Sequence, residues 1–301
     1  VSSDIFGGQP SDPDQLAELY DLEHDEVIED LAFYRELARR NHGGAVLDLG
    51  CGSGRLFASL LAGGTRRLVG VDGSAALLRR ARQRIAAVPE LTAADAQGRV
   101  VLLQADIRHL EQERIRDALG GARASLVVVA GVLPHLDGPE EALSMLTGLR
   151  SLLAPRGTAV IDDIGPGLLP TRDLPLTVDW RRVVNGREVV RRSQLTVRQA
   201  PEGLRVVFGT LVDVGQPDGT IARLPASHRL WYPLDEALAA LVGKAGMVVE
   251  LTYGSHDLDA LVADSDRRIF LVRRAAGHRE SRQAGGAGRR RGSRADPTPG
   301  R

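Results

Sequence analysis

Three acidic residues each close a short apolar run. They are Asp48 in "VLDLGCGSG", Asp72 in "LVGVDG" and Asp106 in "LLQADI". After the first come glycines at alternate positions, Gly50, Gly52 and Gly54, with Cys51 among them. Glycine there permits positive φ and lets a ligand approach the bare backbone. An acid about 20 residues further on, as Asp72 is, can take both hydroxyls of a ribose. Asp106 could accept a hydrogen bond from an exocyclic amine. Asp48, inside the end of its run, would repel a pyrophosphate and welcome a cation. Three other residues could handle protons. His135, in "VLPHLDG", has a free pKa near neutrality and suits a general base. Tyr20 and His24 sit in an acidic N-terminal stretch, and His256 in "TYGSHDLD" is a further candidate.

These residues need elements to hold them. Residues 14–41 have helical spacing (Leu16, Leu19, Leu22, Val27, Leu31, Tyr34, Leu37). "AVLDLG" reads as a buried strand, then a glycine turn and a helix from about Arg55 to Leu61. "RRLVGVD", "RVVLLQAD", "ASLVVVAG" and "GTAVIDDI" are four more apolar strands. Helical patterns separate them, one with Ser74 as N-cap, another, "PEEALSMLTGLRSLL", stopped by Pro-Arg-Gly. Short apolar strands alternating with helices predict an α/β fold, a doubly wound, mostly parallel sheet covered on both faces. Beyond Gly165 the period becomes that of strands. Asn-Gly and Asp-Gly turns separate alternating runs up to Tyr232, predicting an antiparallel meander. Helix and strand then return with "LDEALAALVGKAG", "MVVELTYG" and "RRIFLVRR".

A parallel sheet with glycines and an acid at its strand ends fits any nucleotide cofactor. The Gly-x-Gly-x-Gly spacing places the third glycine one residue early for a dinucleotide turn, and Asp48 stands where a pyrophosphate would go. Both argue against NAD. With "VLDLGCGSG", "VGVDGSAALLRRA", "QADIRHL", "LVVVAGVLPHL" and "LLAPRGTAVIDDI" in this order, residues 45–164 resemble the class I S-adenosylmethionine-dependent methyltransferases. The resemblance implies a seven-stranded Rossmann-like fold and S-adenosyl-L-methionine as cofactor. The amino-acid part of the cofactor would lie on Asp48, Gly50, Cys51, Gly52 and Gly54, the ribose on Asp72 and Gly73, and the adenine by Asp106 and Ile107, with Ala130 completing the pocket. An acidic helix carrying "YD", a sheet inserted after the fifth strand and "GKAGMVVELTYG" resemble the amino-sugar N,N-dimethyltransferase and glycine N-methyltransferase-like group. There the N-terminal segment and inserted sheet cover the active site or form a dimer contact. The implied organisation is a helical cap (1–44), a cofactor-binding core (45–164), an inserted lid or dimerisation sheet (165–232), the end of the core (233–274) and a tail (275–301). The expected reaction is methyl transfer to nitrogen or oxygen of a small molecule, with His135, Tyr20 and His24 at the acceptor. Trp231 and Tyr232 could wall it.

Composition narrows the alternatives. The 301 residues are 43% hydrophobic and 26% charged, which suits a globular chain with a sizeable core. No 18-residue apolar run predicts a membrane span, and the polar, acidic N-terminus is wrong for a signal peptide. Cys51 is the only cysteine, so no internal disulfide can form, no cysteine-type metal site is expected, and a cytoplasmic location is anticipated. The last 27 residues carry seven Arg against one Glu and one Asp and lack large apolar residues, so they are expected to be disordered and dispensable. Those arginines leave a nucleic-acid methyltransferase as one alternative. Against it, "AGVLPHL" stands where amino-purine enzymes of that type carry Asn/Asp-Pro-Pro-aromatic, and the rest of the chain is net acidic where phosphate binding needs a basic face. A non-catalytic S-adenosylmethionine-binding protein is the other. Eleven acids stand against one Arg in residues 1–36, which would favour a cationic substrate if they lined the pocket mouth.

Overall fold

The computed structural model describes residues 13–275; the Arg-rich tail lies almost wholly outside them. The five apolar runs are parallel strands β1 (Ala45–Leu49), β2 (Arg67–Asp72), β3 (Val100–Gln104), β4 (Ala124–Ala130) and β5 (Leu153–Ile164). With β10 (Met247–Tyr253) and β11 (Arg267–Arg274) they form one sheet in the order β10-β11-β5-β4-β1-β2-β3, in which β11 runs antiparallel to both neighbours. Strand order reverses between β1 and β4. The crevice beyond their C-terminal ends is where a doubly wound sheet binds its ligand.

Alternation along each strand splits the core into two layers. Leu47, Leu49, Val127, Val129 and Ile161 face α6 (Gln112–Ala118), α7 (Pro139–Leu152) and α8 (Asp235–Lys244). Val46, Leu68, Leu126, Val128 and Val160 face α2 (Leu31–Arg40), α3 (Phe57–Ala62), α4 (Ala75–Ala87) and α5 (Pro89–Ala96). Ser74 caps α4 as its sequence predicts, its Oγ accepting the Leu77 N–H at 3.2 Å.

Two boundaries differ from the sequence reading. The N-terminal helical stretch is two helices, α1 (Pro13–His24) and α2, with a break before Asp30. The break lets Arg55 donate to both Asp30 carboxylate oxygens, at 2.7 and 2.5 Å, and to the Val27 carbonyl at 2.7 Å. Strand β5 begins at Leu153, ahead of Pro155-Arg156-Gly157, and a register shift between Ala124 and Leu126 on β4 absorbs the irregular start.

The meander is a second sheet, β6 (Leu174–Val184), β7 (Arg187–Ala200), β8 (Gly203–Gly215) and β9 (Ile221–Pro233), paired in sequence order. Asn185 and Gly186 both have positive φ, 49° and 76°, the backbone a two-residue hairpin turn of this hand needs. One face of this sheet takes Leu16, Leu19 and Leu22 of α1 against Val189, Val212 and Leu224.

Candidate active site

The cofactor loop is shaped by what its glycines avoid. Gly50 has φ +73°, and a Cβ there would collide with Val132 beyond β4. Gly52 has φ +54°, and its missing Cβ leaves room for the Tyr20 hydroxyl, which would stand 3.1 Å away. Gly50 and Cys51 both donate to the Val71 carbonyl, at 2.7 and 3.0 Å, folding the loop back over β2. Asp72 locks it: one carboxylate oxygen accepts the Gly52 N–H and the other the Ser74 N–H, both at 2.8 Å. Each oxygen keeps a lone pair for a further donor.

Above this loop lies a cleft of about 940 Å³. It brings together Tyr20, Gly50, Gly52, Asp72, Gly73, Asp106, Ile107, Ala130 and His135, nine of the residues singled out from sequence. Four others fall outside its lining. Asp48 is buried, at 3% exposure, at the end of β1. Cys51 is buried within the apolar layer on α2–α5, close behind Gly70. Gly54 is bare because the Phe57 ring would stand 2.8 Å from its Cβ, so it serves helix packing. His24 lines a neighbouring cavity.

That second cavity, about 420 Å³, lies between α1 and the inserted sheet. Its walls are Leu16, Leu19, Phe208, Val212 and Leu230, with Glu23, His24, Thr210 and Arg191 as polar groups. Tyr20, Leu77, His135 and His228 line both spaces. The inserted sheet therefore stands on the Gly50 side of the core.

The polar groups at this junction are tuned by burial. The Tyr20 hydroxyl is pushed up to about 12, chiefly by desolvation and then by the Asp72 charge, so it is a donor at neutral pH. Its ring stacks on His24 at 3.9 Å, and the His24 Nδ1 lies 2.8 Å from the Tyr20 carbonyl oxygen. His135 follows β4 in a single 3-10 turn, Leu133–His135. Burial, and next the neighbouring His228, hold His135 below the usual imidazole range, keeping it neutral at pH 7. The two rings meet edge to face at 6.0 Å. Burial also lowers His228, with help from Arg191. Asp48 is raised to about 7 by desolvation and secondarily by Asp72, while Arg55 pulls it down.

Other sequence expectations meet a different environment. Asp106 reaches the rim, but Arg108 holds its carboxylate with donors at 2.7 to 3.0 Å, so an adenine amine would have to share or displace that contact. His256 stays out of the cleft: its Nε2 is 2.8 Å from Asp162, a carboxylate that Tyr34 and Arg267 also engage. Most acids of the N-terminal run among the described residues are paired with arginines. Asp21 meets Arg80 and Arg84, Asp25 meets Arg84, Asp14 meets Arg79, and Glu26 meets Arg182. Glu23 does face the second cavity, but paired with Arg191, which also holds Asp179. The run thus pins α1 to α4 and the insert. Trp231 is buried in the core at 1% exposure, and neither it nor Tyr232 lines the two spaces.

Sequence reasoning missed His228. It stands in "LPASHRLWY", where Leu224, Ala226, Leu230 and Tyr232 alternate as the inward stripe. A polar residue on that stripe was the available signal.

A switch-point crevice, a glycine loop of this spacing and acids ending β1 and β2 define a class I methyltransferase fold. Residues 47–159 match the family described as "Methyltransferase domain". No curated protein matches the sequence. Among solved structures the chain is similar to the CcbJ methyltransferase of Streptomyces caelestis, with 23% identity over 89% of this chain and 100% of that one and a TM-score of 0.65. It is also similar to DesVI of Streptomyces venezuelae (20% identity, 86% and 98% covered, TM-score 0.64). A third is the sugar N-methyltransferase KedS8 of a Streptoalloteichus species (19%, 91% and 98%, TM-score 0.64). At these identities the likeness is one of fold, and it extends through the inserted sheet.

Proposed function

We propose that the protein is an S-adenosyl-L-methionine-dependent methyltransferase acting on nitrogen or oxygen of a small molecule, of the kind found in natural-product or amino-sugar pathways. The observation that carries this reading is a pair of adjacent cavities: a cleft along the glycine loop shares Tyr20, Leu77, His135 and His228 with a second space between α1 and the insert. The residues fit the cofactor. A bare backbone over Gly50 and Gly52 leaves room for its amino-acid part, Asp72 keeps lone pairs for ribose hydroxyls, and buried Asp48 gains a counter-charge from the ammonium. When bound, the cofactor supplies an electrophilic methyl; the protein supplies alignment and exclusion of water. His135, neutral and at the mouth between the two spaces, takes the acceptor's proton. Tyr20 covers the loop and donates.

Asp72→Ala removes the ribose acceptor and the lock on Gly52, and should weaken S-adenosylhomocysteine binding by about 1.5–3 kcal/mol, on the order of ten- to a hundredfold. Calorimetry tests it. Binding of NADH with no heat from S-adenosylhomocysteine would overturn the cofactor assignment. Incubation of a metabolite panel with methyl-labelled cofactor identifies the acceptor.

We also infer a homodimer through the outer face of the insert. Val183, Ile221 and Val178 share that face and are 75%, 66% and 58% exposed. They stand among ion pairs of the same face, Arg181 with Glu188 and Asp213 with Arg192 and Arg223, and exposed apolar side chains beside sheet edges gain from a partner. Light scattering should give twice the chain mass for the native protein and one chain mass for the Val183→Lys, Ile221→Lys double variant. A native monomer would exclude this contact.

A further inference from the structure

The insert leaves the core after Ile164 and returns at Leu234. Both points meet at one buried pair of residues. Asp163 on β5 lies directly across from Arg268 on β11 in the antiparallel register, so their side chains share one face of the sheet. Both are 3% exposed. Arg268 donates through Nη1 to the Pro233 carbonyl at 2.5 Å, where β9 ends, and to Asp235 at 3.1 Å, where α8 starts. Its Nε and Nη2 are buried with no partner, as is Asp163 Oδ2. Structural ion pairs usually saturate such atoms, because each unmade buried hydrogen bond costs stability. Here a guanidinium and a carboxyl stand opposite each other, incompletely satisfied, at the root of the sheet that roofs the second cavity.

We propose that Asp163 and Arg268 are positioning residues that set how β9 presents His228 and Leu230 to the acceptor space. This rests on the reading of that space as the acceptor site. The link is one continuous strand: Arg268 grips the carbonyl of Pro233, and His228 lies five residues earlier in β9, its neighbour Leu230 packed in the insert's own core. Asp163 is the adjustable half. Arg268 and Arg267 on β11, Asp162 on β5 and Tyr232 on β9 are the charged and titratable groups around it, and Asp235 on α8 reaches it through Arg268. Desolvation holds the Asp163 carboxyl up to about 7, against an ordinary value of 3.8. A carboxyl kept neutral by burial favours, as pH rises, any conformation that exposes it to water. Opening at the insert root should therefore become easier between pH 6 and pH 8, by about tenfold from those two values. Tyr232, raised to about 12, titrates outside this window. His228, lowered by burial and next by Arg191, acts in the opposite sense.

Amide hydrogen exchange on the full chain, corrected for intrinsic rates, reads this directly. In the native protein, protection of residues 226–231 should fall about tenfold from pH 6 to pH 8 while that of β1 and β4 stays level. Asp163→Asn, a neutral isostere, should abolish the fall, and Arg268→Lys should lower protection in 226–231 at both pH values. S-adenosylhomocysteine affinity should stay within twofold in both variants, because the cofactor cleft is built mainly from the core. A fall that persists in Asp163→Asn overturns the proposal, as does loss of protection spread evenly over β1, β4 and β9. Failure of the native protein to bind S-adenosylhomocysteine would instead strike the methyltransferase reading and leave the exchange result standing.

Discussion

Asp48→Asn should make the ligand-free protein more stable at pH 8 and at the same time weaken its grip on S-adenosylhomocysteine. Asp48 is buried at 3% exposure and its carboxyl is raised to about 7 from an ordinary 3.8. The native state thus binds the proton more tightly than the unfolded chain does. Well below pH 3.8 the side chain is neutral in both states and costs nothing. As pH rises towards 7 the unfolded chain loses the proton first, and native stability falls; beyond 7 the loss is complete. At about 1.4 kcal/mol per pH unit the ceiling is roughly 4 kcal/mol, and relaxation reduces it to about 2–4 kcal/mol. An amide of the same shape escapes this cost. For a chain of this size the melting temperature should rise by about 5–10 °C at pH 8 and hardly at all at pH 4. Cofactor affinity should drop about tenfold at pH 8, since the amide no longer offsets an ammonium. Thermal melts at the two pH values and one calorimetric titration suffice. Equal shifts at both pH values would show that Asp48 is not held neutral.

His135→Ala should lower turnover about a hundredfold for a hydroxyl acceptor while S-adenosylhomocysteine affinity stays almost unchanged. His135 stands at the junction of the two spaces and is held neutral by burial, the state a proton acceptor needs. An amine that sheds its proton to water before entering would cut the loss. Comparing turnover on the identified acceptor with cofactor affinity separates the roles. Turnover equal to the native enzyme's would leave His135 as a loop residue and pass the proton to Tyr20, His24 or His228.

The parts legible in the sequence are those decided locally. Asp48, Asp72 and the alternate glycines mark the strand ends because an apolar run stops where the chain must turn, and Gly50, Gly52 and Gly54 make that turn at positive φ. Asn185-Gly186 fixes a hairpin because few other pairs adopt that backbone. The parts that stayed hidden depend on partners far along the chain. The break before Asp30 carries no glycine or proline; it exists because Arg55, 25 residues later, claims the Asp30 carboxylate. The acidic N-terminal run read as a possible electrostatic mouth, yet its counter-charges come from α4 and from the insert. Asp106 sits where its motif places it, but its neighbour Arg108, two residues away, takes its charge. His256 reads from sequence as a further proton-handling candidate, and only the long-range meeting with Asp162 shows it to be held outside the cleft. Asp163 and Arg268, 105 residues apart, are opposed by a strand pairing that no local pattern announces.

The insert begins and ends at that pair, with Arg268 bound to the carbonyl of Pro233. A segment that departs and rejoins at one spot behaves as an exchangeable cassette. Its strands can lengthen, shorten or change their outward residues without shifting any register in the seven-stranded sheet, while the inward residues that meet α1 stay tied to Tyr20 over the glycine loop. On the proposed reading of the second space as the acceptor site, acceptor preference can diverge through β6 to β9 while the strand ends that would hold the cofactor keep their register.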